Sequence, residues 1–128
     1  MATLVTNEGN TIYFERFAPD EVTGATVIFS CAYCTTHENW RGQVDPLVAA
    51  GHPVVLWDLR GHGDSPAPEG GEAWSIENVV ADLYAVAEAT TPDAPFVAAG
   101  LSFGGLASLH FMKRYPERIA ALALVGSG

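Results

Sequence analysis

Four nearly continuous apolar runs constrain the fold of this chain more than any other feature. They are ATVIFS, PVVLWDL, PFVAAGL and IAALALVG, at residues 25–30, 53–59, 95–101 and 119–126. Runs of this length that contain β-branched residues are typical of strands buried on both faces, and such strands occur mainly in parallel sheets. Segments with helical features lie between them, so the pattern predicts alternating strands and helices.

The intervening segments carry the signals of helices and of one hairpin. We predict helices over 39–51, 75–89 and 103–115, the second with Ser75 as its N-cap. Ahead of the first apolar run, TLVTN and TIYFERF flank a Gly9-Asn10 pair, which is typical of a hairpin turn. The predicted fold is therefore α/β, with a mostly parallel sheet, an N-terminal antiparallel hairpin and helices on both faces. Ligands of such sheets bind at the carboxyl ends of the strands.

Composition and charge limit the partners of the chain. Its 128 residues are enough for one domain. Fifteen acidic residues against six basic ones give a net charge of −9, so we expect neither nucleic acid nor an anionic membrane as a partner. The N-terminus lacks the features of a secretory signal, and no apolar stretch reaches the length of a membrane span. The expected location is cytoplasmic, and the sequence leaves the oligomeric state open.

A serine lies in the loop after the third apolar run. Gly100-Leu101-Ser102-Phe103-Gly104 reads G-x-S-x-G between a predicted strand and a predicted helix. A sharp turn at such a place holds a serine in a strained conformation with its hydroxyl clear of the backbone, and the two glycines avoid collisions with the turn. The N–H of Phe103 would lie at the helix N-terminus, where it could stabilise an oxyanion. The alternative is a simple turn in which Ser102 only caps the helix.

With these motifs, nearly the whole chain resembles the N-terminal half of an α/β-hydrolase. VVLWDLRGHGDS resembles the strand-four segment D-x-R-G-x-G-x-S of that family, GLSFGG its nucleophile elbow, and YPERIAALALVGS its following strand. The resemblance implies that residues 1–128 are the N-terminal part of a single α/β-hydrolase domain. It also implies a serine hydrolase that acts on a small-molecule carboxylic ester or similar acyl substrate through an acyl-enzyme on Ser102, with no cofactor and no metal.

The family resemblance narrows the reaction only in part. A serine rather than an aspartate at position 102 argues against the dehalogenase and epoxide-hydrolase branches. Lipase, thioesterase, C–C hydrolase and cofactor-free haloperoxidase chemistry remain open, because their motifs overlap.

The segment SCAYC, residues 30–34, has two interpretations. Its position after the predicted strand resembles the family's oxyanion loop, although the usual His-Gly is missing, and this implies an oxyanion donor at the backbone N–H of Ala32 or Tyr33. The C-x-x-C spacing of Cys31 and Cys34, followed by His37, instead suggests a thiol or zinc site. Three ligands fall short of the four that a structural zinc site needs, and polar residues separate the cysteines from the predicted helix.

The partners of a catalytic serine are not evident in the sequence. The family order is serine, acid, histidine, yet only His110 and Glu117 follow Ser102. His110 lies about 12 Å further along the predicted helix, too far for a base. His37 is a minor alternative as base. The resemblance therefore implies a fold truncated after its sixth strand, with acid and histidine expected beyond the end of the chain and this chain inactive alone. A hypothesis of another class is a non-catalytic binding module or an inactive fragment.

Overall fold

The computed structural model describes residues 2–5, 11–32, 35–66 and 75–126. Within these residues, six strands and three α-helices alternate after the first pair of strands. The strands are β1 (Ala2–Val5), β2 (Thr11–Phe17), β3 (Val27–Ser30), β4 (Val54–Trp57), β5 (Phe96–Leu101) and β6 (Ile119–Val125). The helices are α1 (Arg41–Ala49), α2 (Ile76–Thr90) and α3 (Phe103–Arg114). Every strand and helix predicted from the sequence is present, with bounds that differ by a few residues.

The six strands form one sheet in the order β1-β2-β4-β3-β5-β6. β1 pairs antiparallel with β2, and β2 antiparallel with β4. The pairs β3–β4, β3–β5 and β5–β6 are parallel. This confirms the predicted mostly parallel sheet with an N-terminal antiparallel hairpin. The predicted turn at Gly9-Asn10 lies outside the described residues.

The central strands are buried on both faces, as the apolar runs predict. Val27 and Phe29 of β3 belong to a hydrophobic cluster on the α1 side, together with Val44. Ile28 belongs to the other cluster, where it joins Leu83 and Phe111 from the two remaining helices. Full burial of a side chain of this size stabilises a fold by roughly 1.5–3 kcal/mol. Alternate residues of one strand therefore hold helices against opposite faces of the sheet.

The start of α1 differs from the prediction. A 3₁₀ helix over His37–Trp40 precedes α1, and Thr36 is its N-cap, accepting a bond from the Glu38 N–H over 3.3 Å. The sequence predicts a helix from Asn39 onward, so helical backbone begins two residues earlier than expected. The cap explains the difference, since a threonine side chain satisfies an amide that would otherwise lack a partner.

A buried ion pair joins the turn after β4 to α2. Nε of Arg60 lies 2.7 Å from Oδ2 of Asp82, and Nη2 lies 2.8 Å from Oδ1. Both side chains are 1% exposed. Two parallel bonds of this kind fix orientation as well as distance, so the turn that follows β4 is held in one position on the helix.

One edge of the sheet presents apolar side chains. Within the described residues β6 pairs with β5 alone, and its Leu124 and Val125 are 42% and 49% exposed. An unpaired apolar edge strand favours association with other strands. No helix in the described part of the chain has the length and hydropathy needed to cross a membrane.

Candidate functional site

Ser102 lies between β5 and α3 in an unusual backbone conformation. Its φ is 52° and its ψ is −111°, and the residue is exposed. A non-glycine residue with these angles costs on the order of 1–3 kcal/mol, and such strain concentrates at functional sites. The amide of Ser102 donates to the carbonyl of Val125 over 2.9 Å, and its carbonyl accepts from Leu106 as the first bond of α3. Ser102 is thus neither inside the helix nor covered by neighbouring side chains.

The two glycines of the motif are required by close packing around this turn. A Cβ at Gly100 would lie 2.3 Å from the backbone nitrogen of Gly105. A Cβ at Gly104 would lie 2.3 Å from the carbonyl oxygen of Ser30 and 2.6 Å from that of Cys31. These distances are far below van der Waals contact, so neither position accommodates a side chain. The start of α3 therefore sits directly on the carboxyl end of β3.

This packing brings the loop after β3 close to Ser102. Ser30 is opposite Gly100 in the parallel β3–β5 pair. Ala32 and Ser102 therefore each lie two residues beyond this pair of neighbours. Ala32 is buried, and its carbonyl accepts bonds from the N–H and the hydroxyl of Thr35 over 3.3 and 2.7 Å. Tyr33, the other predicted oxyanion donor on this loop, lies outside the described residues.

Phe103 is the first residue of α3. The first amides of a helix have no acceptor within the helix, and the positive end of the helix dipole favours an anion beside them. The structure therefore brings the predicted residues Ser102, Phe103 and Ala32 to one end of the sheet. The catalytic role expected of each of them stays a prediction.

His37 lies in a network of carboxylates beside β2 and the end of β4. Its backbone N–H donates to Oδ1 of Asp58 over 2.7 Å, and its Nδ1 lies 2.8 Å from Oδ2. Its Nε2 lies 3.0 Å from Oε1 of Glu15 and 3.0 Å from Oε1 of Glu38. Because β3 separates β4 from β5 and neighbouring strands are about 4.8 Å apart, the strand that leads to Ser102 is about 10 Å away from β4. The geometry disfavours His37 as the base.

Asp58 connects the segments around the end of β4. The carboxylate also accepts from the N–H of Asp64 over 3.0 Å, and Asp58 is fully buried. Its carbonyl accepts from the hydroxyl of Ser65, which in turn accepts from the N–H of Tyr13, each over 2.8 Å. Gly63 has a φ of 50°, and a Cβ there would lie 2.3 Å from Oδ2 of Asp58. These residues fix the turn beside the 31–36 loop.

Two groups in this network have the donor atoms of a cation site. They are Glu15, His37 and Glu38, and His37, Asp58 and Asp64, each with its candidate ligand atoms within 4.8 Å of one another. In the first group Arg41 occupies the cationic position, with Nη2 2.8 Å from Glu15 and 2.5 Å from Glu38. Hydrogen bonds from this guanidinium hold the pKa of both glutamates below the ordinary value. The first group is therefore an ion-pair network, and the expected lack of a metal stays a prediction.

Two of the other histidines contact backbone carbonyls, and the third lies on the surface of α3. His52 bonds through Nδ1 to the carbonyl of Ala25 over 2.7 Å, and Nδ1 of His62 lies 3.1 Å from the carbonyl of Arg60. His110 is exposed on α3, eight residues beyond Ser102 and so about 12 Å along the helix axis. His110 is therefore too far along α3 to serve as the base.

Cys31 is a free, buried thiol. It is fully buried, and its Sγ donates to the carbonyl of Trp57 over 3.6 Å. Burial, with a smaller effect of the Asp58 charge, raises its pKa to about 12, so the thiol stays protonated at neutral pH. Neither of the candidate cation groups found in the described residues includes it. Cys34 lies outside the described residues.

Comparisons with known proteins give one family and several reactions. A family model described as alpha/beta hydrolase fold matches residues 25–127. A protein of Variovorax paradoxus named as a carbamate hydrolase is 32% identical over 91% of this chain and 42% of its own length. Epoxide hydrolase B of Mycobacterium tuberculosis is 27% identical over 89% of this chain and 32% of its own. The chain spans less than half the length of these curated relatives.

A solved structure shows the same arrangement of strands and helices. The thioesterase domain from the curacin biosynthetic pathway superimposes with a TM-score of 0.86 and 27% identity, over 97% of this chain and 44% of that domain. The relatives are thus named for three different reactions, and their shared feature is the fold.

Proposed function

Because the chain belongs to the α/β-hydrolase fold family, we propose that it is the nucleophile-bearing part of a serine hydrolase. The proposed substrate is a small-molecule carboxylic ester or a similar acyl compound. The proposed domain assignment makes residues 1–128 the N-terminal part of one α/β-hydrolase domain. Neither nucleic acid nor a membrane is a proposed partner.

One observation carries this proposal, namely the conformation of Ser102. A serine that is exposed, strained and placed between a strand and a helix has its hydroxyl clear of the backbone, at the end of the sheet where ligands bind. A serine that only capped a helix would need no positive φ, because N-cap residues adopt extended angles. The capping alternative therefore leaves the strain at this position without a cause.

The proposed reaction follows from the groups around this turn. Oγ of Ser102 attacks the acyl carbonyl carbon, its proton passes to a base, and the carbonyl oxygen becomes an oxyanion. The N–H groups of Phe103 and of Ala32 or Tyr33 stabilise that charge. Loss of the alcohol leaves an acyl-enzyme, which water then hydrolyses. One donor of this kind is worth roughly 10²–10³-fold in rate.

The base and the acid are proposed to come from outside residues 1–128. His110 lies about 12 Å along α3 from Ser102, and Glu117 lies in the turn that precedes β6, at the opposite end of that strand. Without these groups the 128-residue chain would retain at most a weak activity.

Epoxide hydrolysis is the less favoured reaction, although a relative is named for it. The position between β5 and α3 holds a serine, whereas the family resemblance implies an aspartate in that branch. A binding module without catalysis is the second candidate function, and the observation that favours it is the position of His110, the one histidine in residues 103–128, which lies too far along α3 to act as a base. We also propose a cytoplasmic location, which the free buried thiol of Cys31 supports, since reduced cysteines are the rule there.

A fluorophosphonate probe tests the proposal. The probe is added to the polypeptide translated from its gene to the natural stop codon, and the modified residue is located by mass spectrometry. We expect labelling at Ser102, loss of the label in Ser102→Ala and retention in Ser75→Ala, which changes an exposed serine at the start of α2. Turnover of p-nitrophenyl acetate and styrene oxide then separates acyl from epoxide chemistry. A folded protein that is not labelled would overturn the hydrolase and favour the binding module.

A further inference from the structure

A second cleft lies between α2 and α3, well away from Ser102. Its lining residues are Ile76, Glu77, Val80, His110, Lys113 and Arg114. Lys113 follows Ser102 by eleven residues of α3, which is about 16 Å along the helix axis. We propose that this α2–α3 cleft binds a small organic anion with an apolar body, such as a medium-chain carboxylate.

The distribution of positive charge supports an anionic ligand. Of the six Lys and Arg residues, Arg41, Arg60 and Arg118 form ion pairs with carboxylates. Two of the other three, Lys113 and Arg114, line this cleft, and among the described residues no carboxylate pairs with either. In a chain with a net charge of −9, cations without acidic partners are scarce, so their presence together at one cavity is the first indication of a ligand.

The shape of the cleft supports a small amphiphilic molecule. Its volume is about 210 Å³. Val80 is 5% exposed and Ile76 packs against the same hydrophobic cluster, so the cleft has an apolar side. His110 adds an imidazole ring beside the two cations. Apolar walls with a few convergent polar groups are the usual composition of small-molecule sites.

Helix electrostatics account for only part of this arrangement. Lys113 and Arg114 lie in the last turn of α3, where cations stabilise a helix electrostatically. That effect does not require a cavity, nor does it require the first turn of another helix to face the cations. Ile76 and Glu77 begin α2 on the opposite wall, and within the described residues Glu77 does not close the gap by pairing with either cation. The cleft therefore has Lys113 and Arg114 on one wall and Glu77 on the other. The two cations would attract a bound anion, and Glu77 would repel it.

NMR titration with octanoate tests the proposal, again on the polypeptide translated to its natural stop codon. We expect octanoate to shift amide signals of α2 and α3, with roughly tenfold weaker binding in Lys113→Gln/Arg114→Gln, because both exposed charge contacts to the carboxylate are lost. Arg16→Gln, which removes an exposed arginine on β2, is the matched control and should keep the affinity of the unaltered protein. Glu77→Gln should bind octanoate several-fold more tightly, a result that a merely structural role for these charges does not produce.

The ligand series separates charge from apolar contact. Octanol lacks the charge and acetate lacks the apolar body, so both should bind roughly tenfold more weakly than octanoate or worse. Equal binding of octanol, equal binding of acetate, or unchanged affinity in the double variant would each overturn the proposal. Because every substituted residue lies outside the Ser102 turn, fluorophosphonate labelling should be the same in all variants, and failure here is distinguishable from failure of the hydrolase proposal.

Discussion

Replacing Gly104 by alanine tests the contact between α3 and the end of β3. The new Cβ would lie 2.3 and 2.5 Å from the carbonyl oxygen and carbon of Ser30, whereas ordinary contact begins near 3.4 Å. Strand and helix would have to separate by about 1 Å. Overpacking typically costs 1–3 kcal/mol, and here the obstacle is backbone of a central strand, so we expect a loss of about 3 kcal/mol in the free energy of unfolding. For a chain of this size the melting temperature would fall by about 12 °C.

Gly42→Ala is the matched control for this substitution. Gly42 lies in α1, and a Cβ there would meet no atom within 4 Å. Alanine favours a helix more than glycine, so this variant should gain about 0.5 kcal/mol. Urea denaturation followed by circular dichroism measures both changes. Equal midpoints for the two variants would refute the close approach of α3 to β3 on which the position of Ser102 depends.

Three further results are expected from the buried and paired groups. Asp82→Asn should lose about 3–5 kcal/mol because the buried guanidinium of Arg60 loses the charge of the Asp82 carboxylate, while replacing both residues by leucine should cost much less, as denaturant titration of the two variants would show. Cys31 should resist a thiol reagent at pH of about 8 until urea unfolds the chain, because burial raises its pKa to about 12; rapid reaction of the folded protein, with the other cysteine replaced by serine, would contradict this. The Arg41 guanidinium lowers the pKa of Glu15 from its ordinary 4.5, so their contact stabilises the fold above that pH and weakens as pH falls further; Glu15→Gln should flatten the acid limb of a stability–pH profile.

The strands and the serine turn were predictable because their causes are local in sequence. The run at 25–30 has apolar residues on both faces of a strand, and such a strand is buried when helices cover both faces of the sheet. The glycines of the motif at 100–104 have no side chain to collide with neighbouring backbone, so the sequence itself indicates the sharp turn. Both features depend on residues that are adjacent in the chain.

The network around His37 could not be predicted in the same way. Glu15, His37 and Asp58 are far apart in the sequence, and they meet only because β2 is next to β4 in the sheet. That neighbour relation follows from the order of strands, which apolar runs do not specify. A polar residue on an exposed loop and one in a buried network look alike in a single sequence, so the sequence did not show that His37 lies in a network of carboxylates.

The turn at Ser102 depends on a hydrogen bond to a residue that is synthesised after it. The amide of Ser102 has its acceptor at Val125, the last residue of β6, and a backbone N–H without an acceptor is costly once water is excluded. While the chain is still emerging from the ribosome, the hydroxyl leaves the tunnel before the strand that orients its backbone. A nascent polypeptide that has not yet reached β6 therefore lacks the hydrogen bond that orients the backbone of Ser102. We expect reactivity at this position only after β6 has joined the sheet.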